Sequence, residues 1–200
     1  MFYSNKGYYD INILQNIYMS MQDDIKQEII GHSRRVSMLI KIWTASLRLE
    51  QEKVAKLELL ALYHDIGKFA VPQEILQKKE NLTYEEWSML KNHPVTGYSI
   101  AKGTKHLKCI ALDILHHHER WDGDGYPHQL KGETIPYNSR MLAIADAYDV
   151  MFTGKTYKKS TSHMEALKEI ERCAGSQFDP VLAEKFITFF NECKKSDYIP

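Results

Sequence analysis

The sequence has few cysteines, no excess charge of either sign and no long apolar run. Its three cysteines are odd in number and far apart, so a disulfide framework is not expected. Lysine plus arginine and aspartate plus glutamate both number 26, which argues against binding of a nucleic-acid polymer through bulk charge. No apolar run could cross a bilayer, and residues 1–9 do not resemble a signal peptide. We therefore expect a cytoplasmic protein without membrane contact.

The composition that remains is globular, with 44% hydrophobic and 26% charged residues over 200 positions. This length suits one domain with a single core. Apolar residues recur at helical spacing, whereas strand signals are weak. Capping boxes at residues 83–86 and 162–165 predict helix starts, and Gly67 is expected to end a helix. We predict an all-α helical bundle with one irregular loop, residues 121–137, which could carry a small hairpin.

Histidines and acidic residues stand at positions that could bind metal. His64 and Asp65 lie at the end of one predicted helix, and His117 and His118 lie at the end of another. Asp146 lies within an apolar stripe, where an unpaired carboxylate is costly and a metal ion would compensate it. Imidazole with carboxylate suits iron, manganese or zinc. Since no cysteine is near, a structural zinc site is not expected.

Asp65 is the best candidate for a ligand shared by two metals, because each of its oxygens can bind one ion. Two metals about 3.5–4 Å apart would clamp a phosphodiester around a bridging hydroxide. Lys68, one helical turn after His64, could neutralise charge on the phosphate. Each feature alone has an ordinary explanation: a His-Asp pair can cap a helix, and Asp146 can bond to Arg140. Their joint occurrence favours the metal site.

At these residues the sequence resembles the HD-GYP subgroup of the HD phosphohydrolase superfamily. Residues 64–68 read HDIGK and are similar to the HD-x-G-K signature. Residues 117–127 read HHERWDGDGYP and are similar to the HHE-xx-DG-x-GYP signature. The resemblance runs from about residue 28 to residue 190. Shorter matches in the family's order lie at residues 32–36, 91–94, 146–149 and 177–180.

The resemblance implies an all-α fold of the HD type and a site for two or three transition-metal ions, usually iron, with manganese as the second choice. It also implies hydrolysis of cyclic di-GMP to pGpG or GMP by attack of a hydroxide that bridges the metals. Glu28 is a candidate ligand for a third metal, or else an ordinary solvated residue. The core metal ligands that the resemblance implies are His32, His64, Asp65, His93, His117, His118 and Asp146.

The resemblance also places substrate contacts. Asp65 and Lys68 would act at the catalytic centre, with Lys68 on the substrate phosphate. Tyr126 would shape the pocket and contact a base or a phosphate. Where the family often has Arg-Pro-Tyr-Arg-Lys, this chain has Lys155 and Lys158, which keep the charge but lose the planar guanidinium. This departure leaves room for a related substrate such as cyclic GMP-AMP.

Several alternatives stay open from the sequence. The chain could be an HD nucleotidase that acts on a mononucleotide, a non-catalytic receptor for a cyclic dinucleotide, or a helical scaffold without metal. We expect residues 1–25 to form an arm or short helix and residues 26–195 to form the catalytic domain. Because related proteins often carry fused sensor domains, a separate sensory protein is an expected partner.

Overall fold

The computed structural model describes residues 21–153 and 160–193, and the described part is helical. It contains no strand, and one isolated bridge joins Ala174 to Phe178. The all-α prediction is therefore confirmed. The α-helices are α1 (Asp23–Ser46), α2 (Gln51–Tyr63), α3 (Gln73–Leu76), α4 (Tyr84–Lys91), α5 (His93–Gly103), α6 (Ala111–Leu115), α7 (Tyr137–Thr153), α8 (His163–Arg172) and α9 (Pro180–Cys193), and 3₁₀ turns cover Ile66–Ala70, Lys108–Ile110 and Gly132–Thr134.

The core forms where α1 packs against α2 and α7, with α9 closing one side. Val36, Ile40 and Trp43 form a stripe on α1 that is fully buried, as the helical spacing predicts. The Trp43 ring meets the Phe186 ring edge-on, with the ring centroids 4.9 Å apart. Among the described helices, none has the length and apolarity to span a membrane.

Both predicted capping boxes form. The Thr83 hydroxyl accepts a hydrogen bond from the backbone N–H of Glu86, and the Glu86 carboxylate accepts one from the backbone N–H of Thr83. Ser162 and Glu165 make the same reciprocal pair at the start of α8. These bonds satisfy backbone donors that the first helical turn leaves free, which fixes where α4 and α8 begin.

Gly67 has a different role from the predicted one. Helix α2 already ends at Tyr63, and Gly67 lies in the 3₁₀ turn that follows. A Cβ atom at Gly67 would collide with the carbonyl oxygen of His93 and lie 2.6 Å from the backbone nitrogen of Gly97. The glycine is therefore required because α5 packs directly against this turn, which brings His93 close to Asp65.

The loop between α6 and α7 is irregular, as predicted, but the hairpin considered for it does not form in this described segment. Its backbone is tied to the turn between α8 and α9, because the N–H groups of Trp121 and Asp122 donate to the carbonyls of Gln177 and Ser176 at 3.2 and 2.8 Å. At Gly125 a Cβ atom would lie 2.5 Å from the Cα of Glu119. The loop thus folds back tightly on the end of α6.

Candidate metal centre

Two groups of metal-binding side chains meet at one carboxylate. The first, the His93 group, contains Asp65, His93, His117 and His118, and the second, the His32 group, contains His32, His64 and Asp65. Within each group, one donor atom of every residue lies within 4.8 Å of the others. Residues that are far apart in the sequence therefore converge, and Asp65 belongs to both groups.

The two carboxylate oxygens of Asp65 face different histidines. Its Oδ1 lies 3.3 Å from the Nε2 of His93 and 4.0 Å from that of His117. Its Oδ2 lies 3.4 Å from the Nε2 of His64 and 4.0 Å from that of His32. A carboxylate in this position can give one oxygen to each of two ions, which is the arrangement of two-metal sites.

Backbone hydrogen bonds orient three of the rings. The Nδ1 atoms of His64, His93 and His117 lie 2.9, 2.7 and 2.6 Å from the carbonyl oxygen of the residue three positions earlier. A carbonyl oxygen only accepts hydrogen bonds, so each Nδ1 carries a proton, and in the neutral tautomer that this bond selects the lone pair of Nε2 points at the centre.

These lone pairs need a cation. The Nε2 atoms of His93 and His117 lie 3.2 Å apart, although neither carries a proton in these tautomers. The Nε2 of His64 is buried without a hydrogen-bond partner. Two facing lone pairs and an unsatisfied buried nitrogen are both unfavourable, and a positive ion would relieve both. The donor set therefore fits a transition metal, which imidazole and carboxylate ligands favour.

His32 is held by two carboxylates of α7. Its Nε2 lies 3.0 Å from an oxygen of Asp146, and its Nδ1 lies 2.8 Å from an oxygen of Asp149. Arg35 in turn donates two hydrogen bonds to Asp149, at 2.8 and 2.9 Å. Burial opposes a charge on His32, but the bonds to Asp146 and Asp149 outweigh it and raise the pKa of His32 to about 9.

Arg35 and Asp149 lie within the motif matches at residues 32–36 and 146–149, but no role was predicted for either. The available signal was the spacing, because Asp149 lies three residues after Asp146 and so falls on the same face of a helix. A carboxylate behind a metal-binding histidine fixes the tautomer and raises the basicity of the ring.

Three other predicted ligands have the protonation states that metal binding requires. Burial would raise the pKa of Asp65, but the nearby charge of Lys68 holds that pKa well below its usual range. Burial lowers the pKa of His118 to about 3. Burial also lowers the pKa of His117 well below its usual value. An ionised carboxylate with neutral imidazoles needs to lose no proton to bind a metal.

A cavity of about 640 Å³ opens over this centre, and Lys68, His118 and Asp146 are among its lining residues. A second cavity of about 130 Å³ is lined by Glu28, Lys68 and the His32 group residues His32 and Asp65. Glu28 borders this second cavity but belongs to neither of the two ligand groups, so a third metal stays a prediction.

Tyr126 contacts the centre through His118. The two rings stack with centroids 4.9 Å apart and an angle of 28° between them. The Lys91 ammonium lies 5.4 Å from the centroid of the Tyr126 ring. A contact between Tyr126 and substrate stays a prediction, as do the contacts expected of Lys155 and Lys158, which lie outside the described residues.

Comparison with known proteins gives a consistent result. The HD domain family matches residues 16–182. A cyclic di-GMP phosphodiesterase of Vibrio cholerae is 43% identical over 143 residues, which are 66% of this chain and 29% of that protein. A 3'3'-cGAMP-specific phosphodiesterase of the same organism is 31% identical over 168 residues, which are 83% of this chain and 32% of that protein. The chain thus spans about a third of the length of these relatives.

A solved structure shows the same fold. Bd1817, described as an HDG"Y"P protein from Bdellovibrio bacteriovorus, superimposes with a TM-score of 0.67 at 22% identity. The match covers 95% of this chain and 61% of that one.

Proposed function

The chain belongs to the HD domain family, and from that premise we propose that it is a metal-dependent phosphodiesterase that hydrolyses cyclic di-GMP to pGpG, GMP or both. The observation that carries the proposal is the shared carboxylate, since Asp65 presents one oxygen to each of two groups of histidines. The names of the two relatives support a cyclic dinucleotide as the substrate class.

Two ions are proposed for this centre, iron being the first choice and manganese the second. When bound, such ions supply Lewis-acid activation of a phosphodiester and of water. Glu28 is proposed as a ligand for a third ion at the smaller cavity. The ligands proposed for the first two ions are His32, His64, Asp65 and Asp146 on one side, and Asp65, His93, His117 and His118 on the other.

Lys68 is suited to stabilise negative charge at this centre. Its Nζ lies 2.6 Å from Oδ2 of Asp65, and it lines both cavities. Burial would lower the pKa of Lys68, but the charge of Asp65 and the hydrogen bond between them outweigh this and raise it. Lys68 therefore stays protonated, and its ammonium group can stabilise the charge that develops on the phosphate. Tyr126, Lys155 and Lys158 are proposed as further substrate contacts.

Asp65→Asn tests the shared carboxylate most directly, because it keeps the shape of the side chain but removes the charge and one of the two oxygens. We expect metal content to fall and turnover to drop by at least about 100-fold. Asp23→Asn, at an exposed position on α1, is the matched control and should keep both. Wild-type metal content and rate in Asp65→Asn would refute the proposal.

The substrate is tested with protein purified without oxygen and supplied with ferrous or manganous ions. Cyclic di-GMP, 3'3'-cGAMP and a mononucleotide are compared by chromatography of the products. We expect cyclic di-GMP to be hydrolysed fastest, whereas faster cleavage of cGAMP would select the second candidate that a named relative suggests. Hydrolysis of the mononucleotide alone, or tight binding without product, would support a nucleotidase or a receptor instead.

The domain limits belong to the same proposal. Residues 26–195 are proposed as the catalytic domain, preceded by an arm or short helix at residues 1–25. The match to the HD domain family runs over residues 16–182 and so begins within the proposed arm, and residues 1–20 lie outside the described residues. A sensory protein is the proposed partner.

A further inference from the structure

A separate cluster of metal-binding side chains lies where the long loop meets the end of α6. It contains His116, Glu119 and His128, and one donor atom of each lies within 4.8 Å of the others. None of the three belongs to the His93 group or the His32 group. We propose that these residues form a further site for a single divalent transition-metal ion of the zinc type.

The carboxylate of this cluster is fixed in place. Glu119 is 4% exposed. One of its oxygens accepts the backbone N–H of His128 at 2.7 Å, and the other accepts that of Leu130 at 3.0 Å. Within the described part of the chain, Glu119 forms no ion pair with a lysine or an arginine. A buried carboxylate without a countercharge is unfavourable, and a bound cation would balance it.

The two rings are spaced as a pair of metal ligands. The Nε2 of His116 lies 3.0 Å from the Nδ1 of His128. Two imidazole nitrogens on one tetrahedral zinc, with bonds of about 2.0–2.1 Å, stand about 3.3 Å apart. The observed separation is therefore within a few tenths of an ångström of that in a chelating pair, and rotation of the exposed His128 ring would point both lone pairs at one ion. Without metal, the same contact is a hydrogen bond that needs a proton on one of the two nitrogens.

The ligand set and its surroundings indicate the class of ion and its role. Two imidazoles with one carboxylate favour zinc and its neighbours over calcium or magnesium. His116 is buried, whereas His128 is exposed, so the ion would reach the site from solvent. His128 directly follows Tyr126 and Pro127, while His116 directly precedes His117. A metal here would fasten the segment that carries Tyr126 to the turn that carries two ligands of the His93 group.

The test is zinc uptake by the wild-type protein and by two histidine variants. His128→Gln removes an exposed ligand, and His106→Gln removes an exposed histidine outside the cluster as the matched control. After equilibrium dialysis against Zn²⁺, elemental analysis should find one zinc fewer in His128→Gln than in the wild type and in His106→Gln. Equal zinc stoichiometry and affinity in all three proteins would overturn the proposal.

Two controls separate this site from the candidate metal centre. Thermal unfolding in excess chelator should be cooperative for both variants, and the midpoint for His128→Gln should be lower by no more than about 2–4 °C, because without metal this variant loses only the hydrogen bond with His116. The same zinc decrement should appear when His128→Gln is introduced into Asp65→Asn. If Asp65→Asn already lacks that zinc and His128→Gln removes none, the ion belongs to the candidate metal centre and the further site does not exist.

Discussion

Replacing Gly67 by alanine should push α5 away from the 3₁₀ turn Ile66–Ala70, which directly follows Asp65. The new methyl group would lie 2.6 Å from the backbone nitrogen of Gly97, whereas contacts below 3.4 Å are already tight. Relief of this contact alone requires a movement of at least about 0.8 Å, the carbonyl oxygen of His93 lies closer still, and the clashing atoms are backbone rather than the end of a flexible side chain. His93, the first residue of α5, would move with the helix. Its Nε2, which now lies 3.3 Å from Oδ1 of Asp65, would move away from that oxygen.

The free energy of unfolding that Gly67→Ala should lose can be estimated from the cost of overpacking. Insertion of a methyl group into a packed interior costs about 1–3 kcal/mol, and the upper end applies because backbone must move. The matched control is Gly103→Ala at the other end of α5, where a Cβ atom meets nothing within 4 Å. In a helix that control should be neutral or stabilising by up to about 1 kcal/mol.

The assay has two parts. Denaturant unfolding in excess chelator measures the free energy of unfolding without metal, and elemental analysis after reconstitution measures metal content. We expect Gly67→Ala to lose stability and to bind at least one metal ion more weakly, while Gly103→Ala keeps both properties. The reasoning is refuted if the two variants are equally stable and bind metal equally well.

Three further predictions concern the residues around the centre. Asp149→Asn should weaken metal binding by about 10–100-fold, because it removes the charge that orients His32, and a chelator competition that matches the wild type would contradict this. Because the pKa of His32 is raised to about 9, metal uptake near pH 7 displaces a proton from this ring, so metal affinity should rise about tenfold per pH unit for each proton displaced. Calorimetry in buffers of different ionisation enthalpy should detect the released proton, and an identical heat of binding in all buffers would contradict this prediction. Lys68→Gln should keep the metals and lower kcat by about 10²–10³-fold, whereas a pure increase in KM would assign Lys68 to binding alone.

Much of the fold is readable from local sequence. The capping boxes at Thr83 and Ser162 and the proline that opens α9 are local signals, so the helix starts they mark agree with the structure. The buried stripe on α1 likewise follows from helical spacing alone. Gly67 shows the limit of such reasoning, because its requirement comes from α5, a helix 26 or more positions later in the chain.

In the candidate site too, some residues could be predicted from the sequence and others depend on the fold. The residues alone indicated His64, Asp65, His117 and His118, and the family resemblance added His32 and His93. The structure brings the members of both ligand groups together. The support behind them was only partly predictable: spacing places Asp149 on the helix face of Asp146, but the hydrogen bonds that Asp149 makes with His32 and accepts from Arg35 join residues more than 100 positions apart. Glu119 was matched within a motif without a role, and its two bonds to loop N–H groups depend on how the loop folds back.

The most direct test of the account is a crystal structure of the manganese-loaded protein with anomalous scattering recorded at the manganese edge. We predict a pair of anomalous peaks about 3.5–4 Å apart with one oxygen of Asp65 on each, in addition to any peak at Glu28 or at the cluster of His116, Glu119 and His128. A single peak, or two peaks that Asp65 does not join, would contradict it.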